Sequence, residues 1–414
     1  MSLAHGRTYL AIPGPSVMPD RVLQAMHRAS PNIYEGELLD LIRGVIPDLK
    51  AVARTTGNVA MYIGNGHAAW EAAIANVLAP GDRVLALSTG RFCEGWAEMA
   101  RRLGIEVDLI DFGLSSAIDL DRAEALLRAD TGAQPYKAVL AVQVDTATSV
   151  LNDVAGLRKA LDGAGHDALL MIDCIACLGV DAFEMDAWGV DVMVTGSQKG
   201  LMTPPGMAFV FASEKAERAR AAMDRVSSHW DWSPRFIADE PPLYFGGTPP
   251  VHHLFALREA MKMLVHEEGV EAAWQRHTTL AHAVWTAFDA WAHPEGLALN
   301  VKDPSIRSHA VTAASAPSPK ATQLRQWLEA EAGVTLGIGL GMAPQGDPAR
   351  DGFFRVGHMG HINPHMVLGV LASIEAGLHA LKIPFAASGV AAASGFIGSS
   401  TSPVSGSSSR GECC

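Results

Sequence analysis

The sequence predicts an α/β protein: a large domain on a mainly parallel seven-stranded sheet between helices, followed by a smaller C-terminal α+β domain. Three observations carry this. Between residues 60 and 212, seven short apolar runs alternate with helix-forming segments, the pattern of a parallel sheet covered on both faces. The 414 residues are 49% hydrophobic and 18% charged, enough to bury one large core or two smaller ones. Small and polar residues able to do chemistry follow the ends of these runs, as residues sharing one sheet edge would.

Residues 1–20 read as an N-terminal extended segment, because Pro13-Gly14-Pro15 cannot be helical. Residues 21–255 read as the large domain, opening with helices at 22–28 and 37–54. The apolar runs fall at 60–63, 83–88, 106–110, 138–142, 168–172, 192–195 and 207–211. Helices are expected at 68–78, 94–103, 121–129 and 153–163, marked by Ala-rich composition, a Pro80-Gly81 stop and Asn152 or Asp153 as an N-cap. A helix at 214–226 precedes an aromatic loop, Ser228-His229-Trp230-Asp231-Trp232-Ser233. Long helices at 251–268 and 270–291 lead to a small domain spanning 256–385, with candidate strands at 310–314 and 353–356. Between them lies a helix at 320–332 that Gly333 ends, and a last helix starts at Asn363-Pro364. Residues 386–414 turn to Ala, Ser and Gly and are expected to form a disordered tail without a catalytic role.

The chemistry centres on Thr195-Gly196-Ser197-Gln198-Lys199-Gly200, between the runs 191–195 and 207–212. A lysine on a loop between buried strands meets a desolvation penalty that lowers its pKa and leaves an amine able to attack a carbonyl. The aldehyde most often held this way is pyridoxal phosphate, and three further requirements of such a site occur upstream. Asp173 closes the run 168–172, where an acid would face the pyridine nitrogen. Gly64-Asn65-Gly66-His67 precedes a helix, so backbone N–H groups stand ready at its positive end for a phosphate. Phe92, past the run 83–88, supplies a flat group for the ring.

These motifs resemble the class V aminotransferases of PLP fold type I, especially the alanine–glyoxylate and serine–glyoxylate group. The resemblance runs from Pro13-Gly14-Pro15 through Gln198-Lys199 and Thr203-Pro204-Pro205-Gly206 to Phe354-Arg355-Val356-Gly357, about residues 8–383. It implies that Lys199 carries the cofactor as its aldimine and that Asp173 partners the ring nitrogen. Asn65, Gly66, His67 and Gln198 would meet the phosphate, Phe92 would stack on the ring, and Arg355 would bind the substrate α-carboxylate. A hydroxyl to the phenolic oxygen falls to Thr148 or to Thr146. Gly14 would border the substrate, and Tyr34 would face a neighbouring subunit's site or pack. Phe245 stands where some relatives have a tyrosine that reaches the partner's phosphate, which leaves Thr248 to donate there. Trp230 or Trp232 would touch substrate or pack at an interface.

The implied reaction is a ping-pong transfer of an amino group from serine, alanine or aspartate to an oxo acid, with glyoxylate the expected acceptor. A homodimer with its site at the subunit interface is implied as well. The alternatives are a pyridoxamine–pyruvate-type aminotransferase, or a kynureninase-like or desulfurase-like lyase. Residues 334–352 contain no cysteine, which a desulfurase would need there. A binding module without chemistry would leave the lysine, acid and phosphate cradle unexplained.

With 44 acidic against 32 basic residues, the net charge of −12 argues against nucleic acid or an anionic membrane surface as partner. No apolar run approaches a spanning helix and the first residues lack a signal-peptide pattern, so a soluble, cytoplasmic protein is expected. Cys174 and Cys177 form a C-x-x-C with no second pair at zinc-site spacing, and no acid or cysteine accompanies His358 and His361. No metal is expected. Cys413 and Cys414 end the tail and look incidental.

Overall fold

The computed structural model describes residues 2–401. The large sheet has the order Asn58–Gly64, Gly206–Ala212, Val192–Gly196, Leu169–Asp173, Tyr136–Val142, Arg83–Ser88, Glu106–Asp111. Gly206–Ala212 runs antiparallel to both its neighbours, and the other pairs are parallel. The central strands are apolar without a break because both faces are covered. In Leu169–Asp173, Leu169 and Met171 point into one core and Leu170 and Ile172 into the other. Helices Gly66–Val77 and Arg91–Arg102 cover the first face. Glu37–Ala53, Leu120–Ala129, Val154–Ala164 and Val251–Met261 cover the second.

The smaller sheet has the order Tyr9–Ala11, Val334–Ile338, Phe353–Gly357, Val311–Ser315, Ala298–Leu299. Val334–Ile338 is a strand that the sequence pattern does not announce, since its Thr335 and Gly337 break the apolar run. The N-terminal segment is extended as expected, and its Tyr9–Ala11 adds a parallel strand to this sheet. The residues that open the chain are thereby tied to the small domain and carried on to the edge of the large one.

Two expectations are corrected. Residues 256–273, assigned to the small domain, contribute Ala256, Leu257, Ala260, Met261, Leu264, Val270 and Ala273 to the core under the large sheet; the small-domain core takes over from Leu280. The C-terminal segment expected to be disordered contains a helix, Gly389–Ser400, capped by Ser388, whose side chain accepts the Ala391 N–H. It lacks an apolar face large enough to fold alone, but it packs on the long helix Val270–Trp291 and buries Ala393 and Ile397 there. Glu375 fixes the junction by accepting hydrogen bonds from Trp291 Nε1, Ser388 Oγ and Val390 N. The remainder of the tail, 402–414 with Cys413 and Cys414, lies outside the described residues.

Candidate active site

The parallel strands present their carboxyl ends along one sheet edge, and Asn58–Gly64 ends there too because it runs against Gly206–Ala212. A cavity of about 220 Å³ opens at that edge, lined by Asn65, Gly66, His67, Trp70, Phe92, Thr146, Asp173, Gln198 and Lys199 among others. A larger groove of about 1260 Å³ lies between the N-terminal segment and helix Pro364–Ala380. Its walls are mainly apolar, and its arginines are already engaged: Arg7 with Asp20, Arg21 with Glu267 and Arg276 with Glu268. The smaller cavity holds the reactive groups.

Lys199 sits on a loop that Ser197 and Thr203 close: Ser197 Oγ donates to Pro204 O at 2.6 Å and Thr203 Oγ1 to Ser197 O at 2.9 Å. Ser16 fastens the loop to the N-terminal segment, its N–H donating to Gln198 O at 2.9 Å and its hydroxyl to Lys199 O at 2.8 Å. The Lys199 amine donates to Pro13 O. Gly14, at φ +95°, lies so close that a Cβ there would collide with Lys199 Cδ, Cε and Nζ. Burial and the neighbouring Arg355 guanidinium lower the amine pKa to about 8, with Asp173 opposing them.

Asp173 is the last residue of its strand and is 2% exposed. The Ile175 N–H donates to Oδ1 at 2.6 Å and the Trp70 indole N–H to Oδ2 at 2.8 Å. Burial still pushes its pKa up to about 7, with the Asp145 carboxylate adding to the rise. Such an acid is held ready to ionise against a cation.

Asn65 is the N-cap of helix Gly66–Val77, its side chain accepting the His67 N–H at 3.0 Å. The other amides of that first turn remain for an anion. A Cβ on Gly66 would meet the Ile175 side-chain end and require it to shift. Gln198 Oε1 is buried without a partner; turned over, the same amide presents its N–H groups to the cavity. Burial and Arg91 lower the His67 pKa, which favours the neutral ring.

Phe92 starts a helix, and its N–H donates to Asp145 Oδ2 at 2.8 Å. The other oxygen of Asp145 accepts the Ala147 N–H at 2.8 Å, an Asx turn. Thr146 lines the cavity. Thr148 is buried behind it and donates its hydroxyl to Thr89 O at 3.1 Å. Of the two hydroxyls, the structure brings Thr146 to the site and not Thr148. Arg355, 6% exposed, donates from Nε to Ile338 O and from Nη1 to Thr146 O, both at 2.7 Å. It joins the small domain to the rim of the cavity, and burial lowers its pKa to about 10.

Tyr34 and Thr248 are exposed and do not line the cavity. Trp230 and Trp232 pack on the far side of the 66–77 helix, where Trp232 N donates to Asn76 Oδ1 and Trp230 Nε1 to Glu71 Oε1. His358 is buried between His309 O and Thr312 Oγ1. Trp70 and Asp145 are site residues that sequence reading overlooks. A tryptophan in an Ala-rich helix reads as core, and Asp145 had only its place before a threonine to distinguish it.

Residues 52–347 match the family described as aminotransferase class-V. The chain is 36% identical over 401 residues to a serine–glyoxylate aminotransferase of Methylorubrum extorquens, covering 95% of this chain and 96% of that one. It is 34% identical over 389 residues to an L-aspartate–glyoxylate aminotransferase of Paracoccus denitrificans, covering 92% and 94%. Its fold superposes with a TM-score of 0.85 on pyridoxamine–pyruvate aminotransferase from Mesorhizobium loti, at 25% identity, covering 96% of this chain and 99% of that one. With lysine, acid and helix tip on one cavity and these matches spanning nearly its whole length, the chain belongs to the class V aminotransferase family, as a transaminase of PLP fold type I whose cofactor is pyridoxal phosphate.

Proposed function

We propose that this transaminase takes its amino group from a small amino acid, serine, alanine or aspartate, and passes it to glyoxylate. The relatives named above, serine–glyoxylate and aspartate–glyoxylate aminotransferases, support this substrate class. The observation that carries the chemistry is a Lys199 amine with a pKa of about 8 on the same small cavity as a buried Asp173 and a capped helix tip.

The cofactor, when bound, supplies an aldehyde that takes up the amino group and a ring that accepts the electrons left as the α-proton departs. Lys199 Nζ is the group that accepts that proton from the substrate Cα and returns it, because its pKa lies near the working range. Asp173 would serve as the acid for the ring nitrogen and would favour its protonated state. Phe92 would supply a flat side chain for the ring, and Thr146 a hydroxyl for the phenolic oxygen. Asn65, Gly66, His67 and Gln198 would hold the phosphate. Arg355 takes the α-carboxylate shared by donor and acceptor, exchanging its bond to Thr146 O for a stronger charge-assisted one.

A pyridoxamine–pyruvate type of reaction fits less well, since a vitamer without phosphate leaves the helix tip and the Gln198 amide unused. Exposed Thr248 and Tyr34 fit a homodimer in which each subunit completes the other's site, and sedimentation of the holoenzyme at micromolar concentration is expected to give the dimer mass. No described helix is long and apolar enough to cross a membrane. A cytoplasmic location is part of this proposal.

The test is a screen of half-reactions. Mixing the yellow holoenzyme with single amino acids is expected to bleach its absorption band for serine, alanine or aspartate, and glyoxylate is expected to restore it. Bleaching by free pyridoxamine alone would replace this reading. Arg355→Ala is expected to lower kcat/KM for every carboxylate substrate together by about 10- to 10²-fold, the loss of a charge-assisted bond of about 1.5–3 kcal/mol. A loss confined to one substrate would mean that Arg355 reads a side chain.

A further inference from the structure

Helix Gly66–Val77 begins at the phosphate cradle, and Trp70 follows Gly66 by about one turn, roughly 6 Å further along the same face. Both residues line the cavity. The Trp70 indole is 1% exposed, stacks on Trp96 at a centroid distance of 6.2 Å and meets Phe92 edge-on at 6.3 Å. Packing thus leaves its N–H a single direction, toward Asp173 Oδ2 at 2.8 Å. Asp173 Oδ1 is taken by the Ile175 N–H, a local bond between residues two apart. The outer oxygen alone depends on a group from another element.

We propose that Trp70 is a positioning residue: its indole N–H clamps the plane of the Asp173 carboxylate and favours its ionised form, so that one helix sets both the phosphate end and the acid end of the cofactor site. The inference rests on the reading of Asp173 as partner of the ring nitrogen. Without the indole donor, Oδ2 would stand in a buried site with no bond, and the carboxyl group would rotate or take a proton.

Other groups that face Asp173 bear on its titration. Asp145 raises its pKa and Lys199 lowers it. The nearby Cys93, Cys174 and Cys177 thiols are pushed up by burial and keep their protons near neutral pH. The His67 ring, 4.6 Å from Trp70, is held below its usual range by burial and Arg91.

The test uses the full chain freed of cofactor. The carbonyl band of protonated Asp173, identified as the band lost in Asp173→Asn, is followed by infrared spectroscopy across pH. Trp70→Phe keeps an aromatic ring, though a smaller one, and removes the donor, and is expected to raise the midpoint by about one to two pH units. Trp96→Phe alters the stacked neighbour, whose own N–H goes to Trp70 O at 3.4 Å, and is expected to leave the midpoint in place. In the unsubstituted protein the Trp70 indole N–H resonance is expected to shift with the same midpoint, a readout that needs no variant to fold. In the holoenzyme Trp70→Phe is expected to lower kcat about tenfold with KM for amino acids unchanged, since Arg355 is untouched. An unmoved midpoint in Trp70→Phe, an equal shift in Trp96→Phe, or an indole resonance indifferent to pH would each overturn the proposal. None of these outcomes touches the cofactor reading, which fails separately if Asp173→Asn binds and turns over like the parent.

Discussion

Lys199→Ala is expected to keep its affinity for the phosphate end of the cofactor and to lose multiple-turnover transamination by about 10⁴-fold or more. A positioned proton carrier contributes about 10²–10⁴-fold, and in the proposed reading the same amine would also anchor the cofactor. The cavity offers no second amine: the other groups lining it are an imidazole and amides assigned to the phosphate, an acid assigned to the ring, the Thr146 hydroxyl, the Trp70 indole and apolar side chains. Steady-state rates with a working donor and glyoxylate measure the loss. A variant within tenfold of the parent would remove Lys199 from the mechanism.

The same burial that makes the amine useful destabilises the fold, and the sign can be followed with pH. Lys199 has a pKa of about 8 when folded against 10.5 as the ordinary value, so folding expels a proton between these limits. Below pH 8 the native state carries a buried ammonium, a penalty on the order of 3 kcal/mol that shrinks as pH rises from 8 to 10.5. Lys199→Met in the cofactor-free chain is therefore expected to melt higher than the parent at pH 7, with the difference closing by pH 10. Equal melting temperatures at pH 7 would mean that the amine is not desolvated. For the parent, the rate of cofactor capture is expected to rise about tenfold per unit up to pH 8 and then level off, as the neutral amine accumulates.

The large domain was legible because its strands are apolar throughout and its helices carry caps. Asp153, one of the two N-caps expected there, accepts the Gly156 N–H that this position promises. Lys199 and Asp173 could be singled out because the lysine, the acid after a buried run and the Gly64-Asn65-Gly66-His67 cradle occur together, each past the end of an apolar run, although each alone has a bland explanation. What stayed hidden was set by contacts distant in sequence. Helix Gly389–Ser400 owes its order to Trp291 and Glu375, and nothing in its own composition announces them. The choice between Thr146 and Thr148 turns on which of them lines the cavity, and a run of small polar residues does not reveal it. Trp70 reaches Asp173 across 103 residues, and an indole's donor cannot be distinguished from its bulk in a sequence.

Asp173→Asn is expected to reduce kcat by about 10²–10⁴-fold while leaving the protein folded. The substitution keeps the size and one acceptor but removes the negative charge, and loss of one member of a buried charge pair amounts to about 3–5 kcal/mol. The substituted side chain would offer no anion to hold a proton on a ring nitrogen, and the electron-drawing chemistry the cofactor would supply would weaken accordingly. Lys199 and Arg355 would still bind and orient, so KM is expected to change less than kcat. A pH experiment on the cofactor-free chain separates this electrostatic account from mere packing. Asp173 has a folded pKa of about 7 against 3.8 as the ordinary value, so the native state retains a proton that the unfolded chain gives up. Stability from this group is full below about pH 4 and falls by an amount on the order of 4 kcal/mol as pH rises through 7. Asp173→Asn is expected to flatten that part of the curve. Because the bound cofactor presents a cation to the ionised acid, the holoenzyme is expected to lose less stability over the same range than the cofactor-free chain. If the two curves of the parent ran parallel from pH 4 to 8, Asp173 would not be facing the ring nitrogen, however well it lines the cavity.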